Sequence, residues 1–333
     1  MLHLVQLLGV AASHGLLTGQ IIFSTAFVGA CELPNWNHAP RQVNACRWRS
    51  QVARAWARDG WQDAMTGPGY GKCEPYQMSL TALDQLLVDS HVEDLIEMLD
   101  QILHVREDVS HAFAVSHRLR HSRPMQRTLK QLRSDPQAEA LIRSRTLMPS
   151  FRLEQLLALP GGSLGYTFGR LIQALGYDPS FHPGPEYFNN LEADADYVNY
   201  RTFATHDLHH VLTGFNFDSS GELGVLGVSM GQHAAPGLTF IGLAFLLASW
   251  LETDVPYSMV SQDRDRIRSA RYKFSLIQQG LEIGEAARPL FALDWPSLLD
   301  HDLEELRREL GVEPVREGLA SWYSRTELVA ALS

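Results

Sequence analysis

Cysteine is scarce in this 333-residue chain: Cys31, Cys46 and Cys73 form no Cys-x-x-Cys pair. They are too few and too scattered for a disulfide framework, and a reducing compartment fits them best. Long Lys/Arg runs are missing, and acids outnumber bases, 38 against 28, for a net charge of -10. No nucleic acid is therefore expected as a partner, and any attraction to a membrane surface has to be local. No stretch reaches the roughly twenty apolar residues of a membrane-spanning helix. Arg is absent from the first forty residues, which speaks against a mitochondrial presequence. Met1 to Cys31 is uncharged, and Val28-Gly29-Ala30-Cys31 loosely resembles a lipoprotein cleavage box. The segment lacks the Lys or Arg of a secretory leader, and His3, Gln6, Ser13, His14 and Gln20 interrupt it. It reads as a surface-lying apolar segment or the product of a misassigned start codon. Strand signals, internal repeats and low-complexity tracts are equally lacking.

What is present is a chain that is 45% hydrophobic, enough to bury one large core or two modest ones. Residues 32–78 mix Pro, Gly, Trp and Asn and read as loops around one short helix near 52–63. From Leu80 onward the apolar periodicity is helical. Leu83, Leu86 and Leu87 share a face, Leu95, Met98, Leu99, Ile102 and Leu103 continue it, and Ser90-His91-Val92-Glu93 makes a capping box between them. Further helices are expected at 126–132, 138–145, 153–157, 166–175, 197–212, 223–231, 238–251, 264–279 and 298–310. The fold class is all-α, a compact multi-helix bundle with a metal site on a central helix. Residues 1–75 form an N-terminal extension of unknown role, and 76–333 a helical domain.

The chemistry concentrates in His206-Asp207-x-x-His210, followed by eleven residues and Glu222. His206 and His210 stand one turn apart on one helix face, so their imidazoles can reach one ion. Asp207 is about 100° round the helix and joins only by a bent approach or through a bound water. The helix should stop at Gly214, and Asp218-Ser219-Ser220-Gly221 leads into a new helix with Glu222 in its first turn. Two neutral imidazoles and up to two carboxylates suit a divalent zinc, iron(II) or manganese ion better than calcium or copper(I).

Other histidines compete. His117 and His121 are one turn apart, but Arg118, Arg120 and Arg123 surround them and would repel a cation; a solvated basic face in reach of phosphate or lipid headgroups is expected. His301, between Asp300 and Asp302, reads as part of a capping cluster. His233 is expected in a solvated loop with some reach toward the site as an acid or base, and His209 in a packing role. Residues 236–251 are apolar on every face and read as a buried core helix. The small residues Gly237, Gly242, Ala244 and Ala248 offer the alternative of a lipid-tail channel wall. The stretch from Arg264 to Lys273 reads as a solvated basic face.

The ligand motif resembles that of the coenzyme Q (ubiquinone) biosynthesis protein 4 family. Leu159-Pro160-Gly161-Gly162-Ser163-Leu164-Gly165, Ala195-Asp196-Tyr197-Val198, Leu212-Thr213-Gly214, Gly221-Glu222-Leu223, Asp294-Trp295 and 305–312 are similar to its segments. The resemblance covers about 135–312; His209 stands where the family usually has an aromatic residue. It implies metal-dependent C1 decarboxylation of a polyprenylated 4-hydroxybenzoate-type ring, with or without oxidative hydroxylation. The implied cofactor is a divalent metal at His206, Asp207, His210 and Glu222, with zinc first and iron(II) as the alternative. Implied partners are a polyprenylated aromatic substrate, other quinone-biosynthesis proteins and the membrane surface, and a homodimer is included among them. Localisation follows as cytoplasmic and peripheral on the inner membrane in a bacterium, or on the matrix side of the mitochondrial inner membrane in a eukaryote. Two other classes are weighed: a non-catalytic prenyl-lipid carrier or scaffold with a structural metal, and a metal-dependent phosphohydrolase, ranked last because Glu222 is not part of its pattern.

Overall fold

The computed structural model describes residues 92–103, 110–177, 183–252 and 269–332. The N-terminal extension, the short helix near 52–63 and the Ser90 end of the capping box lie outside them, as do Arg264, Arg266 and Arg268. In chain order the described helices are α1 (Val92–Leu103), α2 (Ser110–Arg118), α3 (Arg123–Leu132), α4 (Pro136–Ser144), α5 (Leu153–Leu157) and α6 (Leu164–Leu175). They continue with α7 (Asp194–Thr213), α8 (Ser219–Gln232), α9 (Pro236–Glu252), α10 (Ala270–Ala286), α11 (Trp295–Leu298), α12 (Leu303–Leu310) and α13 (Thr326–Leu332). Among the described residues the only β pairings are two isolated bridges, Ser163 to Asp302 and Phe215 to Ser321, so the all-α class holds.

The organising element is α7. Its twenty residues are buried on nearly every face, polar ones included, which makes it the axis of the bundle rather than an amphipathic surface helix. At its start the Asp196 carboxylate accepts the Ala193 N–H at 2.9 Å, and Asp194 and Asp196 place negative charge at the positive end of the helix. At its end Gly214 takes a left-handed conformation, φ 80°. A side chain there would also collide with the Val315 carbonyl oxygen. The last carbonyls, which have no intrahelical donor, are each met. His210 O accepts from Gly214 N–H (3.0 Å) and the Trp322 indole (3.2 Å), and Thr213 O from Val315 N–H (2.8 Å). Val211 O and Leu212 O accept from the buried Arg307 guanidinium, each at 2.7 Å. Arg307 thus satisfies orphan acceptors and sets a positive charge at the negative helix end.

α8 and α10 meet at backbone contact. A Cβ on Gly280 would be driven into the Gly224 carbonyl oxygen, one on Gly227 into Ile277 O, and one on Gly284 into Val228 O. Small residues at this spacing let two helix axes approach closely along their length. For this reason α10 runs on through Gly280 and Gly284 to Ala286 instead of ending near 279 as its glycines suggest. The expected 298–310 helix is divided between α11 and α12, because Asp302 leaves helical geometry to cap α12, accepting the Glu305 N–H at 2.9 Å. α2 and α13 are additions to the expected set.

At two of the four small residues offered for a channel wall along 236–251, no open space is left beside the helix. The space beside Gly237 is filled by Ser116 of α2, and Gly242 faces Ile277, Met230 and Leu226 at ordinary contact distance. The helix is also not buried all round: Leu238, Ile241, Ala244 and Leu246 face the core, whereas Leu243, Leu247, Trp250 and Leu251 are exposed.

Because the α8/α10 contact leaves no room for a side chain, Gly280→Val is expected to destabilise the protein by about 3 kcal/mol or more, the upper range for overpacking. Gly161→Ala, where a Cβ meets nothing within 4 Å, should change stability by less than about 0.5 kcal/mol. Urea unfolding of both variants checks this; a Gly280→Val protein as stable as wild type would refute the backbone contact.

Candidate metal centre

The turn between α7 and α8 decides the site. After Gly214, Phe215 pairs with Ser321, and Asn216 N–H donates to Ala320 O at 2.6 Å, so the chain reverses against the C-terminal segment. Asp218 then caps α8, accepting from the Ser220 and Gly221 N–H groups at 3.0 Å each. This return carries Glu222, in the first turn of α8, back over the histidine face of α7.

There His206 Nε2 lies 2.8 Å from Glu222 Oε2 and 3.2 Å from His210 Nε2, and His210 Nε2 lies 3.4 Å from Glu222 Oε1. One donor atom from each of the three falls within 4.8 Å of the others, and the residues are 1%, 0% and 3% exposed for His206, His210 and Glu222. His210 Nδ1–H donates to Phe215 O at 3.3 Å, which leaves the Nε2 lone pair facing its two neighbours. Its ring stacks on Phe217 at 4.7 Å. Burial pulls His206 below its ordinary pKa against the opposing pull of Glu222. Burial works against an ionised Glu222, but His210 and His206 outweigh it and hold the carboxyl well below its usual range. The result is neutral imidazole beside carboxylate at neutral pH, the protonation state in which these groups ligate a divalent ion. Two Nε2 atoms and a carboxylate aimed at one buried point fit such an ion by donor chemistry as well as by spacing.

Asp207 is half-buried on α7 beside this trio and is not one of its three converging donors. Its charge, after burial and Glu222, helps push the phenol of Tyr177 up to about 12. Tyr177, just past α6, therefore keeps its proton and sits within electrostatic reach of both carboxylates. No motif marks it, since it follows a helix-ending glycine like any terminal residue.

The other histidines are separate. Arg120 Nε donates to His121 Nε2 at 2.9 Å, and its Nη1 contacts His117 Nδ1 at 2.7 Å; burial, then Arg120, lowers the His117 pKa. His301 is half exposed, 3.9 Å from Asp300. His233 is not solvated as expected: it ends α8 in the core, its Nε2 3.2 Å from Thr202 Oγ1, with its ring beside Phe291. Thr202 is one turn before His206, so His233 meets α7 beside the trio. His209 is buried against Trp295, ring centroids 5.4 Å apart.

An all-α bundle whose central helix and its successor close two imidazoles and a carboxylate into one buried cluster defines a helical protein with a candidate metal-binding group. The family model described as coenzyme Q (ubiquinone) biosynthesis protein Coq4 matches residues 108–316. The chain belongs to that family. A relative named ubiquinone biosynthesis protein COQ4, mitochondrial, from Clavispora lusitaniae is 31% identical over 186 residues, 55% of this chain and 53% of the relative. The protein of the same name from Yarrowia lipolytica is 28% identical over 186 residues, 55% of this chain and 64% of that one. The chain spans about half the length of the curated relatives it matches. A solved structure from Nostoc punctiforme, named as a candidate ubiquinone biosynthesis protein, shares the fold with TM-score 0.52 at 23% identity, covering 67% of this chain and 96% of that one. No described helix is long and apolar enough to cross a membrane.

Burial also sets a pH dependence. His209 is lowered to about 3 and His233 to about 4, both chiefly by burial. Below about pH 6.5, the ordinary histidine value, the unfolded chain takes up protons that these folded residues refuse. Stability is thus full above pH 6.5 and falls toward pH 4, by about 1.4 kcal/mol per pH unit for each residue. Denaturant midpoints between pH 4.5 and 7.5 should decline less steeply in His209→Phe than in wild type, by one proton's slope. Parallel curves would show that His209 is not held neutral.

Proposed function

We propose that His206, His210 and Glu222 hold a divalent metal ion, and that the protein uses it in ubiquinone biosynthesis to remove the C1 carboxyl group of a polyprenylated 4-hydroxybenzoate-type ring. The observation that carries the reading is the convergence of the three donors from two helices into one buried point. Family membership supports the pathway, and the resemblance supports the substrate. When bound, the ion supplies a Lewis acid with a coordination position left open by three protein ligands, zinc serving a non-oxidative loss of carbon dioxide and iron(II) an oxidative one.

The chain's own residues supply the rest. The carbonyl of Phe215 orients His210, and burial keeps His206 neutral. Asp207 stands at the edge of the trio as a further ligand, direct or through water, and with Tyr177 presents a polar side to the ring hydroxyl. The para hydroxyl makes the carbon that loses carbon dioxide electron-rich, so the burial of the trio, which keeps bulk water away, would favour controlled delivery of one proton there. The reading includes a membrane surface as the source of substrate and other quinone-biosynthesis proteins as partners, with the mitochondrial naming of the relatives favouring the matrix side of the inner membrane. Residues 1–75 are assigned to a separate extension of the 76–333 domain.

The near-complete burial of all three donors also favours a second reading, a non-catalytic prenyl-lipid carrier in which the metal is structural. Metal analysis and turnover separate the two. Wild type is expected to carry about one equivalent of zinc or iron, lost in His206→Ala and in the isosteric Glu222→Gln with helical content retained. Decarboxylation of a short-chain prenyl hydroxybenzoate should fall at least about 100-fold in both. Normal quinone synthesis by either variant would sink the catalytic assignment, and metal-dependent substrate binding without turnover would establish the carrier.

A further inference from the structure

One surface is left unused by this site. Between Asp108 and Asp135 the sequence contains no acidic residue, yet it carries Arg118, Arg120, Arg123, Arg127, Lys130 and Arg133, in a chain of net charge -10. Three of these are engaged within the fold. Arg118 pairs with Asp94 and Glu97 of α1, Arg133 with Asp194 and Glu139, and Arg120 holds His117 and His121.

Arg123, Arg127 and Lys130 are different. They recur at i, i+4 and i+7 and so line one face of α3, all three are exposed, and they form no ion pair among the described residues. The opposite face buries Met125, Thr128 and Leu132, and Thr128 Oγ1 donates to the His233 carbonyl at 3.0 Å, so the stripe is presented on an anchored helix. A shallow groove of about 460 Å³ meets the stripe at Lys130, and a second of about 340 Å³ shares its Gln126, Leu129 and Arg133.

We infer that this face of α3 docks an acidic segment of a protein partner. Three free cations in a row complement carboxylates at similar spacing, and they would steer such a segment in spite of the chain's overall negative charge. The grooves argue for a shaped partner over a lipid plane. They offer hydrogen-bonding groups, Gln126 and Ser134, beside the half-buried Leu129, whereas the exposed positions beside the cations, Pro124, Gln126 and Gln131, include no aromatic or long aliphatic side chain to enter a bilayer.

The test uses the full chain, two fluorescent helical peptides of about fifteen residues, and vesicles. One peptide carries Glu at i, i+4 and i+7 on one face, the other the same composition scrambled; the vesicles are phosphatidylcholine with and without cardiolipin. The ordered peptide should bind more tightly than the scrambled one, and its affinity should fall on going from about 0.01 to 0.15 M salt as the screening length shrinks. Arg123→Glu/Arg127→Glu/Lys130→Glu should weaken it at least about tenfold, and the corresponding triple Gln variant by less. Vesicle binding should be equal in wild type and both variants. No ion pair among the described residues is lost in these proteins, and Glu at position 123 suits the first turn of a helix, so circular dichroism and metal content should match wild type. Equal peptide affinity across the variants would overturn the assignment. Loss of cardiolipin binding with unchanged peptide binding would overturn it in favour of a membrane.

Discussion

The structure depends on keeping a polar twenty-residue helix in the middle of an apolar bundle. Each buried donor or acceptor on α7 left unmet would cost about 1–3 kcal/mol; the surrounding chain meets many of them, while His206 Nδ1 and both ring nitrogens of His209 are buried without a hydrogen-bond partner among the described residues. Asn199 donates to Ser116 O, Arg201 to Phe291 O and Leu293 O, and Tyr200 accepts the Met148 N–H. The carbonyl end of the helix takes Arg307, Trp322 and Val315. Segments that contain little regular structure, such as 287–294 and 311–325, owe their paths to these obligations. They supply the carbonyls, N–H groups and cation that a central polar helix lacks.

The same constraint shapes the candidate metal site. In water two histidines would be hydrated and partly protonated near neutral pH, and a glutamate hydrated and ionised. Inside the bundle, desolvation disfavours the proton on His206, while the two neighbouring imidazoles hold the Glu222 carboxyl well below its usual range. The trio's position along α8 is set from the other side by the glycine contact with α10, which leaves α8 little freedom to slide or roll. A widened contact would displace Glu222 along with the rest of its helix. Packing at Gly280 and ligand geometry at Glu222 are therefore parts of one rigid unit.

Much of this was legible in the residues. The i, i+4 histidines and the acid in the first turn of the next helix follow from helical periodicity and turn chemistry, which are local. What escaped is non-local. Glycines at 280 and 284 carry the same local signal as a helix stop, and only the backbone of α8 beside them makes them helix interior. His233 follows a helix in a Gly-Gln-His-Ala-Ala-Pro stretch that reads as solvent loop; the pairing with Thr202, distant in sequence, buries it. Tyr177 carries no signature, because its relation to Asp207 and Glu222 arises from packing between helices. Residues 236–251 show the converse, since uniform hydrophobicity gives no hint of which face meets the core.

Charge balance connects the ligand set to the proposed substrate. A divalent ion held by two imidazoles and one carboxylate would keep one uncompensated positive charge in a site with very little solvent exposure, a costly arrangement. An aromatic carboxylate is the complement that restores neutrality, whereas the decarboxylated product, a phenol, is not. If Asp207 joined as a fourth ligand, the site would already be neutral and would gain little from binding an anion. Asp207 is not one of the three converging donors, so on the proposed reading the attraction for a substrate carboxylate would stay in place, and loss of that carboxylate as carbon dioxide would remove the main electrostatic hold on the product.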